Sequence, residues 1–434
     1  MIEALRDLSA AYSAEFLAWR LGSSLPAAPA ADLPVSVVDK PGSADTPQEA
    51  QELERLAQRS LRLHAASGRA LLILLGLGDG RLARMLCAKA PESLNLLVLE
   101  SEAERARCVW PEVLAAPGGQ RAMLLADSSP WALLLLLRGA GLVPQGCSLC
   151  RNPALEATSP LRLWQRLFFE SSLCAIPSAT SHPALSLACM LHPEEPVLED
   201  FFAHLPPWLH EVCVLWDERR PATRPVCAAP LREQCRALAQ PEGPHFARQR
   251  NAMLAMCSGE WLLYLDADER LAPQSWEALR SLLHVPGLGG LLFPRHTFEG
   301  DVEHIRMTHG LWPDVQLRLF RLGPDLAFEG AVHERLVGLT GALALSSLPL
   351  LHYSHVRKSD ASLMRRLALF DQAAGERHHL SAHYPRLPLT FFQRLAQGAG
   401  SDLLVLPKVF WNPASQEVRT SGQGLEHPAF FHDF

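Results

Sequence analysis

The stretch Phe246 to Arg270, FARQRNAMLAMCSGEWLLYLDADER, decides how the rest of the chain is read. Its first half is a helix with a basic start, Ser258-Gly259 breaks it, and Trp261 to Leu265 follows as a short apolar strand. The strand runs out into Asp266, Ala267, Asp268 and Glu269, of which Glu269 reads as a helix-start residue rather than a ligand. Carboxylates crowded at the mouth of a buried strand repel one another and lose hydration, and a divalent cation relieves both costs. Side chains alternate along an extended backbone, so Asp266 and Asp268 can point to one side while Ala267 points away, which suits a metal and a ribose. A lone Asp-x-Asp is more often a solvated acidic loop, so the flanking sequence has to carry the decision.

Upstream, a Pro/Ser-rich passage from Ile176 to Pro183 reads as a linker. Leu185 to Leu191 is then a strand, and His192-Pro193-Glu194-Glu195 a turn opening a helix that Val197 to Phe202 continues. Glu211 to Trp216 is a second strand, ended by Asp217-Glu218. Strand, helix, strand at this spacing is a βαβ crossover and starts a parallel α/β sheet.

LSLACMLHPEE, EVCVLWDE, FARQRNAMLAMCSGEWLLYLDADE, PDVQLRLFR (Pro313 to Arg321), FEGAVHERL (Phe328 to Leu336) and LLHYSH (Leu350 to His355) follow one another in this order. Together they resemble a family 2 glycosyltransferase of the GT-A fold, in particular the bacterial lipopolysaccharide-core and peptide glycosyltransferases. The resemblance implies a nucleotide-sugar donor, with a UDP-sugar favoured, and Mn²⁺ or Mg²⁺ as cofactor. It makes Asp268 the main metal ligand, puts Asp266 on the ribose or on the metal through water, and turns Arg250 and Asn251 toward the nucleotide. His333-Glu334 matches the family's downstream pair. Glu334 becomes a candidate base for an inverting displacement, with Glu329 and Asp314 as competitors. His352 is a third metal ligand or a structural histidine. Two departures fall where base and ribose bind. The family's Lys-Asn-Glu-Glu is His192-Pro193-Glu194-Glu195 here, and its Asp-x-Gly-Ser-x-Asp is Asp217-Glu218-Arg219-Arg220-Pro221. Glu194 and Asp217 can still accept hydrogen bonds from uracil and ribose.

The first half carries a second α/β pattern. ALLILLGLGDGRLARMLCAKAPESLNLLVLESE, from Ala70, reads as a buried strand, a turn with Gly76, Gly78 and Gly80, a helix, and a strand closing on Glu100. Glycines let a backbone approach a ligand, a helix start favours an anion, and an acid after the second strand can accept from ribose hydroxyls. The spacing resembles an S-adenosylmethionine methyltransferase, and more loosely the Rossmann-like domain of motility-accessory-factor glycosyltransferases. A tight strand-to-helix turn with no ligand accounts for the same glycines, and this half is expected to serve structure or acceptor positioning without a cofactor.

Of 434 residues, 48% are hydrophobic and 20% charged, the balance of a folded soluble protein long enough for two or three domains. A formal net charge of -6 argues against a nucleic-acid partner. Aliphatic runs fall short of the roughly 20 residues that cross a bilayer, and the charged first turns are unlike a secretory signal. A cytoplasmic place is expected, at the inner face of the membrane if the stretch Leu387 to Leu406 rests on lipid rather than in a core. The ten cysteines lie mostly in apolar runs, and Cys147 and Cys150 lack the second pair that a zinc site needs.

These readings predict an α/β protein in three parts. Residues 1–180 form a Rossmann-like domain with a helical N-terminal segment, 183–357 a GT-A catalytic domain, and 358–434 a helical extension with an amphipathic helix at Ser359 to Arg377. The expected activity moves a sugar to a bacterial glycan, lipid-linked saccharide or protein. The rivals are a methyltransferase using the glycine loop and a catalytically degenerate binding protein.

Overall fold

A computed structural model describes residues 1–18, 46–177, 183–195, 198–217, 231–240, 246–308, 310–330, 335–357, 384–400, 402–407, 411–412 and 417–418. Strands β1 (Leu71–Leu75), β2 (Leu96–Glu100), β3 (Met123–Ala126) and β4 (Cys147–Arg151) form an all-parallel sheet in the order β3-β2-β1-β4. All five residues of β1, LLILL, are buried because helices cover both faces. Helices α1 (Ile2–Ala18), α5 (Pro130–Gly139) and α6 (Pro160–Glu170) contribute to the core holding Leu71, Ile73 and Leu75. Helices α2 (Pro47–Ser67), α3 (Arg81–Lys89) and α4 (Ala103–Ala115) pack around the core holding Leu72 and Leu74. Thr46 and Glu49 close α2 with a capping box, and Gly68 ends it at a φ of 65°. Cys147 lies in the first core and Cys150 in the second, so the two thiols are on opposite faces of the sheet and share no metal.

The chain then crosses to a larger sheet. Its strands are β5 (Ser172–Cys174), β6 (Leu185–Leu191), β7 (Glu211–Trp216), β8 (Cys235–Ala239), β9 (Trp261–Tyr264), β10 (Glu269–Leu271), β11 (Leu288–Thr297), β13 (Val315–Arg321), β16 (Ala342–Leu345), β17 (Leu350–His352) and β19 (Leu403–Val405). Between them, β12 (His304–Arg306) pairs with β18 (Arg386–Pro388), and β14 (Ala327–Glu329) with β15 (Arg335–Val337). The main path runs β5-β19-β16-β11-β13-β9-β6-β7-β8, with β17 bridging β10 and β11. Strands β8, β7, β6 and β9 are mutually parallel, and β13 turns the sheet antiparallel. Helix α7 (Leu198–Ala203) follows β6, α8 (Phe246–Met256) precedes β9, and α9 (Pro273–Leu282) follows β10.

The expected fold class holds: a Rossmann-like sheet ahead of a GT-A-type sheet. The C-terminal extension is more modest than expected. Among the described residues it is one helix, Leu389–Gly398, with β18 before it, the strand β19, which joins the large sheet, and a small antiparallel pair, Trp411–Asn412 with Glu417–Val418. The amphipathic helix expected at 359–377 lies outside the described residues. Phe391, Phe392 and Leu395 are buried, so this helix turns its apolar face into protein rather than outward. It crosses α5 closely: a Cβ on Gly139 would lie 1.9 Å from Leu395 Cδ2, and one on Gly398 1.8 Å from the Gly139 carbonyl oxygen. One apolar cluster therefore runs from Leu5 and Tyr12 through Trp131 and Leu133 to Leu262, Phe320 and Phe392, joining both sheets.

Candidate functional site

The carboxyl ends of the parallel strands β7, β6 and β9 lie side by side, with Leu191 opposite Trp216 and Ala188 opposite Tyr264. Each releases an acid at the same edge: Asp217 after β7, Glu194 after β6, and Asp266 and Asp268 after β9. In open α/β sheets this edge is where ligands bind. Glu194 is exposed, in a turn where its N–H donates to His192 Nδ1 at 3.2 Å. Asp217 is half-buried, its N–H donating to the Leu191 carbonyl at 2.8 Å.

The four residues after Leu265 separate sharply. Asp266 is half-buried and its Oδ2 accepts from Arg318 Nη2 at 2.8 Å. Asp268 is buried, accepts from the Ser354 hydroxyl, and has its Oδ1 3.7 Å from His352 Nε2. The other ring nitrogen of His352, Nδ1, is 3.0 Å from Thr297 Oγ1. The strand β17 causes this meeting: Glu269 pairs with His352 across β10, and Thr297 with His352 across β11.

Glu269, read from the sequence as a helix-start residue, instead opens β10 and has no solvent exposure. Its Oε1 accepts from Arg318 Nη2 at 2.7 Å and lies 3.5 Å from Arg295 Nη1, and its Oε2 accepts from the Asp266 N–H at 3.1 Å. Burial pushes this carboxyl up from the ordinary range, against the pull of Arg318 and Arg295. For Arg318, burial opposes the charge, but Glu269, Tyr264 and Asp266 outweigh it and raise the pKa well above the usual value. Arg295 also holds Asp314, whose other oxygen accepts from Gln316 Nε2 at 2.8 Å. These bonds keep Asp314 at a φ of 38°, a left-handed conformation that costs energy for a residue with a Cβ.

Arg250 is half-buried, its guanidinium 5.0 Å from the Tyr264 ring centre, while Arg318 is 4.4 Å from the same ring. Arg248 is exposed. Asn251 grips the backbone of β14: Nδ2 donates to the Phe328 carbonyl at 2.9 Å, and Oδ1 accepts from the Phe328 N–H at 2.7 Å. That fastens the β14–β15 pair to α8. His333 and Glu334, on the connection between those strands, lie outside the described residues. Glu329 is exposed, 3.5 Å from Arg335.

Residues 191–335 match the family model "Glycosyl transferase family 2". This segment is a family 2 glycosyltransferase domain. Among solved structures, the first 349 residues of S. aureus TarS are 14% identical, with 32% of this chain and 47% of that one covered and a TM-score of 0.23. A mannosyltransferase from Pyrobaculum calidifontis, solved with GDP-Man and Mn²⁺, is 16% identical over 55% of this chain and 76% of its own, with a TM-score of 0.31. A TPR repeat-containing protein of Synechococcus elongatus is 37% identical over 90 residues, so the chain spans about a fifth of that relative's length.

Within the glycosyltransferase domain, the sequence reading did not single out Arg318, Arg295, Thr297 or Ser354. The signal for the arginines was present: each is a charge inside a largely apolar strand, LLFPRHT or VQLRLFR. Among the described residues, no three His, Cys, Asp or Glu side chains gather into a metal cage. The pair of Asp268 and His352 nevertheless fits a hard cation that takes its remaining ligands from a diphosphate and water, and Thr297 orients the imidazole from behind.

The glycine loop of the first sheet is differently furnished. Glu100 is fully buried. Its Oε2 accepts from the Leu77 N–H at 2.9 Å, and its Oε1 from those of Ser101 and Glu102 at 2.8 and 2.9 Å. Asn152 donates to the carbonyls of Gly76 and Leu77, and a Cβ on Gly78 would lie 2.7 Å from its Nδ2. The chain's own side chains fill the cradle. No described helix is long and apolar enough to cross a membrane.

Proposed function

We propose that this protein transfers a sugar from a nucleotide-sugar to a hydroxyl acceptor on a glycan, a lipid-linked saccharide or a protein, by inverting displacement. The observation that carries the reading is the single edge at which Asp217, Glu194, Asp266 and Asp268 emerge from adjacent parallel strands inside the family-matched segment. Glu194 and Asp217 accept hydrogen bonds from the donor's base and ribose, Asp266 faces the ribose, and Arg250 lies toward the phosphates from α8. Asp268 with His352, and Asp266 through water, would hold Mn²⁺ or Mg²⁺, which when bound neutralises charge on the diphosphate leaving group.

Glu334 takes the acceptor's proton as its oxygen attacks the anomeric carbon. The bond from that carbon to the diphosphate oxygen breaks, and the electron pair leaves with the diphosphate. Two rivals for the base are less suited. Asp314 is committed to Arg295 and Gln316, and Glu329 stands exposed beside Arg335. His333 is the base's neighbour in the sequence, and the Asn251 clamp fastens Phe328 of β14, the strand that precedes them, to α8. The methyltransferase reading loses support because Glu100 spends both oxygens on backbone N–H groups.

The deciding experiment screens UDP-, GDP- and ADP-sugars for Mn²⁺-dependent rise in melting temperature, since a ligand bound only by the folded state stabilises it. One nucleotide class should shift wild type, and the shift should vanish in Asp268→Ala. Absence of a shift with every donor, with or without Mn²⁺, overturns the proposal.

A further inference from the structure

A cavity of about 40 Å³ lies between α5, β11, β16 and the helix Leu389–Gly398, on the far side of β11 from the acidic cluster. The pleat of β11 divides the two environments. Pro294 and His296 line the cavity, while Arg295 between them reaches Glu269 and Asp314. Such a volume has room for roughly three water-sized groups.

Its polar lining is donor-rich. His296 is 6% exposed and Trp312 2%, yet His296 Nδ1 and Trp312 Nε1 have no hydrogen-bond partner among the described residues. Arg138 enters from α5, 8% exposed, with Nη2 donating to the carbonyls of Ala399 and Asp402 at 3.1 and 3.0 Å. Carbonyls do not neutralise a guanidinium, and among the described residues no carboxylate comes within ion-pair distance of it; Asp402 acts on it only from farther away. An indole and a guanidinium only donate. A neutral water would occupy the donors and leave the buried cation uncompensated. Ser346 and Ser347 complete the polar lining without adding charge, and the remaining walls, including Leu345, Phe392 and Leu395, are apolar.

We propose that this cavity binds a short monocarboxylate of acetate or propionate size. Its carboxylate turns to Arg138, Trp312 and His296, and its apolar end to Leu345, Phe392 and Leu395. Burial holds the His296 imidazole at about 3, so near neutrality it adds a hydrogen-bonding group and no charge. The site joins the two sheets and does not rest on the sugar-transfer reading.

The test titrates the full chain with acetate and propionate at constant ionic strength, by calorimetry and melting temperature, with acetamide and propionamide as neutral isosteres. Saturable one-to-one binding of the acids and not the amides is expected. Arg138→Gln should weaken it about ten-fold or more, the scale of a lost charge-assisted hydrogen bond. Ala396→Leu, which fills the cavity without removing a donor, should abolish it. Equal binding of the amides, no saturable binding by wild type, or unchanged affinity in Ala396→Leu overturns the proposal. Should Arg138→Gln fail to fold, Ala396→Leu alone decides.

Discussion

Glu100 ends β2 and Asp127 follows β3, much as Asp217 and Asp266 stand beyond β7 and β9. In the first sheet the chain uses the acids itself. Glu100 binds three backbone N–H groups, and Asp127 accepts from the Tyr12 hydroxyl at 2.7 Å and the Ser129 N–H at 2.6 Å. In the second, Glu194 is exposed and Asp217 and Asp266 are half-buried at one shared edge. An acid at the end of a parallel strand is therefore no site by itself. What distinguishes the second sheet is solvent access to several carboxylates together, with Arg318 and Arg295 set beneath them as a fixed counter-charge.

The largest expected effect tests whether the second edge is chemical. Glu334→Gln should lower kcat by about 10²–10⁴-fold, the usual worth of a general base, with the donor's apparent affinity little changed. An unaltered rate would send the base to Glu329 or Asp314. Next comes a matched pair. Asp268→Ala should cost about 10²–10³-fold in metal-dependent turnover, while Glu100→Gln should keep wild-type turnover and lose about 1–3 kcal/mol of stability in urea. Equal loss of turnover in both variants would erase the distinction between the sheets. Arg318→Gln should then destabilise by about 3 kcal/mol, because among the described residues it leaves the buried Glu269 with only the longer Arg295 contact as counter-charge. A urea midpoint equal to wild type would show that the counter-charge is not structural.

How much of this was legible depended on whether a residue's job is local. The apolar runs of β1, β6, β7 and β9 gave the two parallel sheets, since strands covered on both faces have little choice of composition. Asp266 and Asp268 were visible because they follow directly on such a run. Glu269 was misread because its fate is decided by Arg295 and Arg318, which arrive on strands paired much later in the chain. The glycine turn announced a cradle, but only tertiary contact shows Asn152 filling it. The sequence of helix Leu389–Gly398 favoured a core and left lipid open until α5 came against it through Gly139. The two departures at Glu194 and Asp217 keep their acids at the expected strand ends, so on the proposed function the altered neighbours would change which donor fits rather than where it sits.

The smallest effect probes the first sheet alone. Asp127 is wholly enclosed, and burial raises its carboxyl to about 7 despite the opposing bonds from Ser129 and Tyr12. An unfolded aspartate titrates near 3.9. Between about pH 4 and 7 the folded protein thus keeps a proton that the unfolded chain has released, and this group's contribution to stability falls as pH rises, levelling above about 7. His296 works in the opposite sense: burial lowers it to about 3, the unfolded ring is near 6.5, and its contribution rises with pH across that interval. Across about pH 4 to 6.5 the two slopes oppose one another in the wild type. Asp127→Asn removes only the falling one, so its stability relative to wild type should climb steadily from pH 4 to 7 and then stay level. Urea midpoints measured side by side at half-unit steps would show this. A difference that does not vary with pH would mean that Asp127 is ionised in the folded protein, and that the first sheet carries a charged strand-end acid after all.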